Sequence, residues 1–267
     1  MSSRKAQKAA ARSARLAQEA EAAAAARRKR QLMVGAGGAT PIVAAIVVAA
    51  ILVLSPGNTS QAARRLRAAR STPELRTTSI ASLGKLRAAS APTALGPEGI
   101  PLANGPVLAG TGQMASGSAV DGIGCLNQEQ TLFHIHAHLT IFVAGHARSV
   151  PYGIGITKPE LQSTPAGAFV GGGSCFYFLH THASDGIIHV ESPVQRTYTL
   201  GDFFDIWGQR LGRRRVGPTT GPVTAFYDGR LYLGDPRNIP LNRHAQIQLD
   251  VGRPLIAPAR LRSWARL

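Results

Sequence analysis

The chain has 267 residues and a formal charge of +16, from 30 Lys and Arg against 14 Asp and Glu, yet aromatic residues make up only 6%. All of those aromatics lie between Phe133 and Trp264, so the first 132 residues lack the large apolar side chains whose burial offsets chain entropy. Two ordinary globular domains are therefore excluded, and one is expected in the C-terminal half.

In chain order, residues 1–31 read as a basic tail with an alanine run over Ala22–Ala26. Residues 32–54 carry no charge and end in the apolar run Ile42–Leu54. At ~1.5 Å per residue this segment crosses a hydrocarbon layer of ~30 Å. Because Arg27-Arg28-Lys29-Arg30 precedes it, the positive-inside rule predicts a single-pass anchor in the lipid of the plasma membrane. The N-terminus is then cytoplasmic and the C-terminal domain extracytoplasmic. The competing reading is a cleaved signal peptide, with small residues at Ser60-Gln61-Ala62, for which a basic leader of this length is unusual. Residues 55–118 are rich in Ala, Ser, Pro, Gly and Arg and read as a flexible extracytoplasmic linker.

Residues 119–258 form the expected domain, and residues 259–267 a short basic tail. Residues 119–267 hold fourteen basic and ten acidic side chains. Their arginines bunch at 213–215 and at 260, 262 and 266, and neither bunch interleaves aromatics in a nucleic-acid-binding pattern, so no nucleic-acid partner is expected. A protein partner is not indicated by the sequence.

Phe133–Val143 alternates strictly, with Phe133, Ile135, Ala137, Leu139, Ile141 and Val143 on one face, which predicts a half-buried strand. Ala144-Gly145 should turn it into a partner strand from His146. Cys175–His182 and Ile187–Glu191 read as a hairpin around Ala183–Gly186, which sets position 180 against 189 and position 182 against 187. A helix follows, with Thr199 as N-cap, Asp202 completing a capping box, and an apolar stripe of Phe203, Phe204, Ile206, Trp207 and Leu211. Pro222–Tyr227, the turn Asp228-Gly229 and Arg230–Leu233 predict a type I′ hairpin, and His244–Val251 a last strand. The fold class is α+β: a small, mostly antiparallel sheet of hairpins with one packed helix, in a β-grasp-like arrangement.

Seven of the eight histidines fall within residues 134–189, five of them as His134-x-His136-x-His138 and His180-x-His182. On a strand, residues i and i+2 share a face ~6.6 Å apart, so two imidazoles can converge on one ion. Three in a row span ~13 Å, too far for one ion, so His134 is read as a supporting or additional ligand. His136, His138, His180, His182 and His189 are the candidate metal ligands. Asp185 and Glu191 are placed to orient a ligand imidazole through its second nitrogen. Nitrogen-rich sites suit Cu(II) and Zn(II). The other readings of the clusters are a metal-free polar or pH-titrating face and a zinc hydrolase or hydratase with Glu191 or Asp185 as base. His146 and His244, beside turns, read as ordinary polar residues. Cys125 and Cys175 form a disulfide in an oxidising compartment; a copper-binding Cys175 thiolate is the alternative.

The blocks Phe133–Leu139, Leu179–His182 with Gly186–Ser192, and Thr199–Gly208 resemble a family of bacterial membrane-anchored or exported proteins to which no activity is assigned. The resemblance covers roughly residues 95–252 and implies an extracytoplasmic domain. Locally, His-x-His on a strand is similar to the zinc site of α-carbonic anhydrases, and His180-Thr181-His182 to the first metal motif of cupins. The cupin glutamate four or five residues on is replaced here by Ile187 or Ile188.

Overall fold

The computed structural model describes residues 75–265 and 267. The basic tail 1–31, the membrane segment 32–54 and the start of the linker lie outside those residues. Among the described residues, no helix is long and apolar enough to cross a membrane.

An eight-stranded sheet is the centre of the fold. Its strands are Thr77–Thr78 (β1), Phe133–Val143 (β2), His146–Arg148 (β3), Leu179–His180 (β4), Ile187–Ser192 (β5), Val223–Tyr227 (β6), Arg230–Tyr232 (β7) and Gln246–Val251 (β8). They run in the order β1-β7-β6-β8-β2-β5-β4, with β3 also paired to β2. The described chain is thus an α+β structure, mostly sheet, with one α-helix, Leu200–Ile206 (α1).

The alternation in β2 decides how the sheet packs. Ile135, Ala137, Leu139 and Ile141 are buried and join a core that includes Ile188 and Val190 of β5, Ile247 and Leu249 of β8, and Phe203, Phe204 and Trp207. The capping box forms as expected: the Thr199 hydroxyl accepts from the Asp202 N–H, and the Asp202 carboxylate accepts from the Thr199 N–H. Gly208, at φ +70°, follows the helix end, so Leu211 leaves the helical stripe for a short strand, Leu211–Gly212. Asp228 and Gly229, at φ 48° and 75°, both occupy the left-handed region that a type I′ turn requires.

The sheet is mostly antiparallel, as expected, and the one parallel pairing in it is β8 with β2. A long crossover carrying α1 and the β6–β7 hairpin brings β8 in alongside β2, and a parallel pair needs such a connection. One expectation is corrected: residues 75–118 are not a free linker. β1 pairs with β7, Arg87 bridges to Ile256, Ile100 is fully buried and Leu108 nearly so. This segment lacks the aromatics for a core of its own but adds its few aliphatics to the core of the domain. The tail also packs: the Leu261 N–H donates to Gln246 Oε1, and Trp264 stacks on His244 at 4.5 Å.

Cys125 and Cys175 form the disulfide, across the paired strands Cys125–Leu126 and Cys175–Tyr177. This excludes the thiolate alternative and ties the segment before β2 to the chain entering β4. The crosslink spans a sequence separation of 50 residues. Replacing both cysteines by serine should lower the unfolding free energy in urea by about 2–4 kcal/mol; an unchanged midpoint would contradict this role.

Candidate metal centre

Strand β5 is the spine of the site. It lies between β2 and β4, with His189 opposite His136 on one side and His180 on the other, while Glu191 stands opposite His134. The hairpin register of position 180 against 189 is therefore as expected. The two His-x-His strands do not touch directly, because β5 separates them. Alternation sends Ile188 and Val190 into the core and places His189 and Glu191 on the opposite face.

Two overlapping groups of ligand atoms result, each with all its atoms within 4.8 Å of one another. One is His134, His136, His189 and Glu191; the other is His180, His182, His189 and Glu191. Apart from His134, these side chains are buried.

The second group shows why these rings face one another. His180 Nδ1 lies 2.8 Å from the Tyr177 carbonyl, and His182 Nδ1 contacts the Val170 carbonyl. A carbonyl only accepts, so each Nδ1 carries its proton and each ring turns its Nε2 inward, that of His182 also lying 3.3 Å from the Glu129 carboxylate. Those two Nε2 atoms are 3.2 Å apart. At that distance a proton or a cation must lie between the two nitrogens. Two nitrogens bound to one tetrahedral ion at ~2.0–2.1 Å are separated by roughly 3.3 Å. In the first group His134 Nε2 is 3.0 Å from both His136 Nε2 and Glu191 Oε1.

Four buried side-chain atoms among the described residues have no hydrogen-bond partner: Glu98 Oε2, His136 Nδ1, Asp185 Oδ2 and Glu191 Oε2. A proton shared by His180 and His182 would leave all four unsatisfied. Such groups are costly to bury; His136 and Glu191 belong to the ligand groups, and Glu98 pairs with His189 of both.

Titration behaviour follows from burial and mutual repulsion. Burial, reinforced by the charge of His189, pushes His136 down to about 3. His180 lies well below the usual histidine range, through burial first and then the charges of His189 and His182. Burial also disfavours the charged form of His189, but hydrogen bonds to Glu191 (3.2 Å) and Glu98 (2.7 Å) outweigh it and hold its pKa at about 9. Burial, with the nearby Glu98 charge second, raises Asp185 to about 7.

Of the candidate ligands, the structure brings together His136, His180, His182 and His189. His138 stands apart: its Nε2–H donates to the Asp185 carbonyl at 3.0 Å, and Ile187, not a histidine, lies opposite it in register. His134 takes the place expected for His138, because the β2–β5 register centres the cluster on the other end of the histidine triplet. The Asp185 carboxylate orients no ligand imidazole; its Oδ1 accepts the Ile187 N–H at 3.2 Å and shapes the turn before β5. There Gly186 holds φ +85°, and a Cβ would come within 2.4 Å of the Leu139 carbonyl oxygen. Glu191 stands among the ligand atoms themselves. His146 and His244 lie outside both groups.

Two residues escaped the sequence analysis. Glu98 Oε1 meets His189 Nε2, and Glu129 Oε1 lies 3.3 Å from His182 Nε2, which lowers the Glu129 pKa mainly through that hydrogen bond. Glu98 is 91 residues from its partner, in a segment of linker-like composition, so no local pattern marks it.

No protein-family model, curated protein or solved structure matches the chain, so the site is read from its own geometry.

Burial holds the His138 pKa at about 4. The unfolded chain, titrating near 6.5, takes up this proton first, so the stability tied to neutral His138 is present above pH ~6.5 and lost as pH falls towards 4. Metal-free protein unfolded in urea at pH 7 and pH 5 should show the gap between wild type and His138→Asn shrinking by about 1–2 kcal/mol at the lower pH. A constant gap would mean that His138 is not held neutral.

Proposed function

We propose that this domain is a transition-metal-binding module, taking Zn(II) or Cu(II) for storage, sensing or delivery outside the plasma membrane, to which residues 32–54 anchor it. The observation that carries the metal reading is the convergence of buried His180, His182, His189 and Glu191, whose ligand atoms lie within 4.8 Å of one another, with the Nε2 atoms of His180 and His182 3.2 Å apart. Donor chemistry narrows the metal. Imidazole and carboxylate suit Zn(II) and Cu(II), whereas soft Cu(I) favours thiolates, and both cysteines are committed to the disulfide. The charge run before residue 32 supports the outward placement of the domain, as does a disulfide suited to an oxidising compartment. The strand order also supports the β-grasp-like reading, since the first and last long strands, β2 and β8, form a parallel pair flanked by hairpin partners.

Binding is favoured over zinc hydrolysis by the surroundings. A hydrolytic zinc keeps an open position for water beside a substrate cavity. The cavity of about 950 Å³ on this side of the sheet is lined by His138 and Asp185, which belong to neither ligand group. Apart from His134, the ligand residues are buried.

The test is elemental analysis of the full-length chain, without a His tag, after loading with Zn(II) or Cu(II) and desalting. Wild type and His244→Ala should retain metal, and His182→Ala should retain markedly less or bind it at least tenfold more weakly. No retained metal in wild type, or equal losses in both variants, would overturn the assignment.

A further inference from the structure

The donors around β5 exceed what one ion uses. Five imidazoles and the carboxylates of Glu98, Glu129 and Glu191 converge there, eight donor groups where a tetrahedral ion takes about four. They are also divided in space. His136 and His180 sit on strands either side of β5, so their backbones are ~10 Å apart. The His189 ring stands between them, its centroid 4.5 Å from that of His136 and 5.3 Å from that of His180. His134 and His136 accordingly fall in one ligand group and His180 and His182 in the other, with His189 and Glu191 common to both.

Glu191 is suited to the position between two ions. Its Oε1 lies 3.0 Å from His134 Nε2 and 3.9 Å from His180 Nε2, one histidine from each group, and its Oε2 is buried without a partner. The charge balance agrees. Glu98 and Glu191 have side chains only 7% and 3% exposed, and among the described residues their ion pairs are all with histidines. His189 meets both of them, and a single imidazolium offsets only one buried carboxylate, so the other calls for a further cation. With Glu129, three carboxylates offset most of the charge of two divalent ions, and would over-compensate one.

Building on the metal-binding reading, we infer that the centre is dinuclear, with one divalent ion at His134 and His136, a second at His180 and His182, and the Glu191 carboxylate bridging them. Carboxylate-bridged pairs have their ions ~3.5–4 Å apart.

Full-length protein loaded with Co(II) or Cu(II) and desalted should retain two equivalents by elemental analysis and native mass spectrometry. His134→Asn/His136→Asn and His180→Asn/His182→Asn should each retain one, and Glu191→Gln should lose one of the two. A measurement on wild type does not depend on the folding of variants: its Cu(II) form should give the electron paramagnetic resonance spectrum of a spin-coupled pair, with a half-field transition. A single equivalent in wild type, or two equivalents with the spectra of isolated Cu(II), would overturn the bridged pair while leaving metal binding intact. Zero equivalents would overturn metal binding itself.

Discussion

The constraint on which the centre depends is the protonation of two imidazoles. Backbone carbonyls of Tyr177 and Val170 fix the Nδ1 protons of His180 and His182, which turns both Nε2 atoms inward, 3.2 Å apart. The fold thus sets two ring nitrogens against one another in a buried space. The same side of β5 collects Glu191 and the charged His189, flanked by carboxylates on both ring nitrogens. What reads along the chain as alternating histidines is, in three dimensions, an array of imidazoles and carboxylates on one side of β5.

The rest of the structure holds that array in place. The core face of β2 and β5 packs against Phe203, Phe204 and Trp207, so a one-residue slip of either strand would drive histidines into apolar surroundings. The register of the site is thus enforced by the opposite side of the sheet. The disulfide ties the chain entering β4 to the segment before β2, and the turn at Asp185-Gly186 sets the start of β5. Residues 75–118 contribute Glu98 to the site, although their composition gives them no core of their own.

Much of the fold was legible because its signals are local. The bounds of β2, the capping box at Thr199, the turn at Asp228-Gly229 and the opposition of positions 180 and 189 each follow from a few neighbouring residues. The candidate site was legible only as a set of side chains on shared faces. Nothing in the histidine triplet says which two members meet the ligands across the sheet, since all three alternate identically. The β2–β5 register selects His134 and His136 and leaves His138 opposite Ile187.

The sequence by itself determined the histidine-bearing strands, the helix with its cap, and one aromatic-rich core, because periodicity, turn chemistry and residue volume act over short stretches of chain. Only the tertiary structure decided the parallel pairing of β8 with β2, the packing of the 75–118 segment, and the arrival of Glu98 and Glu129 beside His189 and His182. Those outcomes depend on which distant segments share a surface, and that is settled by burying apolar area and neutralising buried charge over the whole domain.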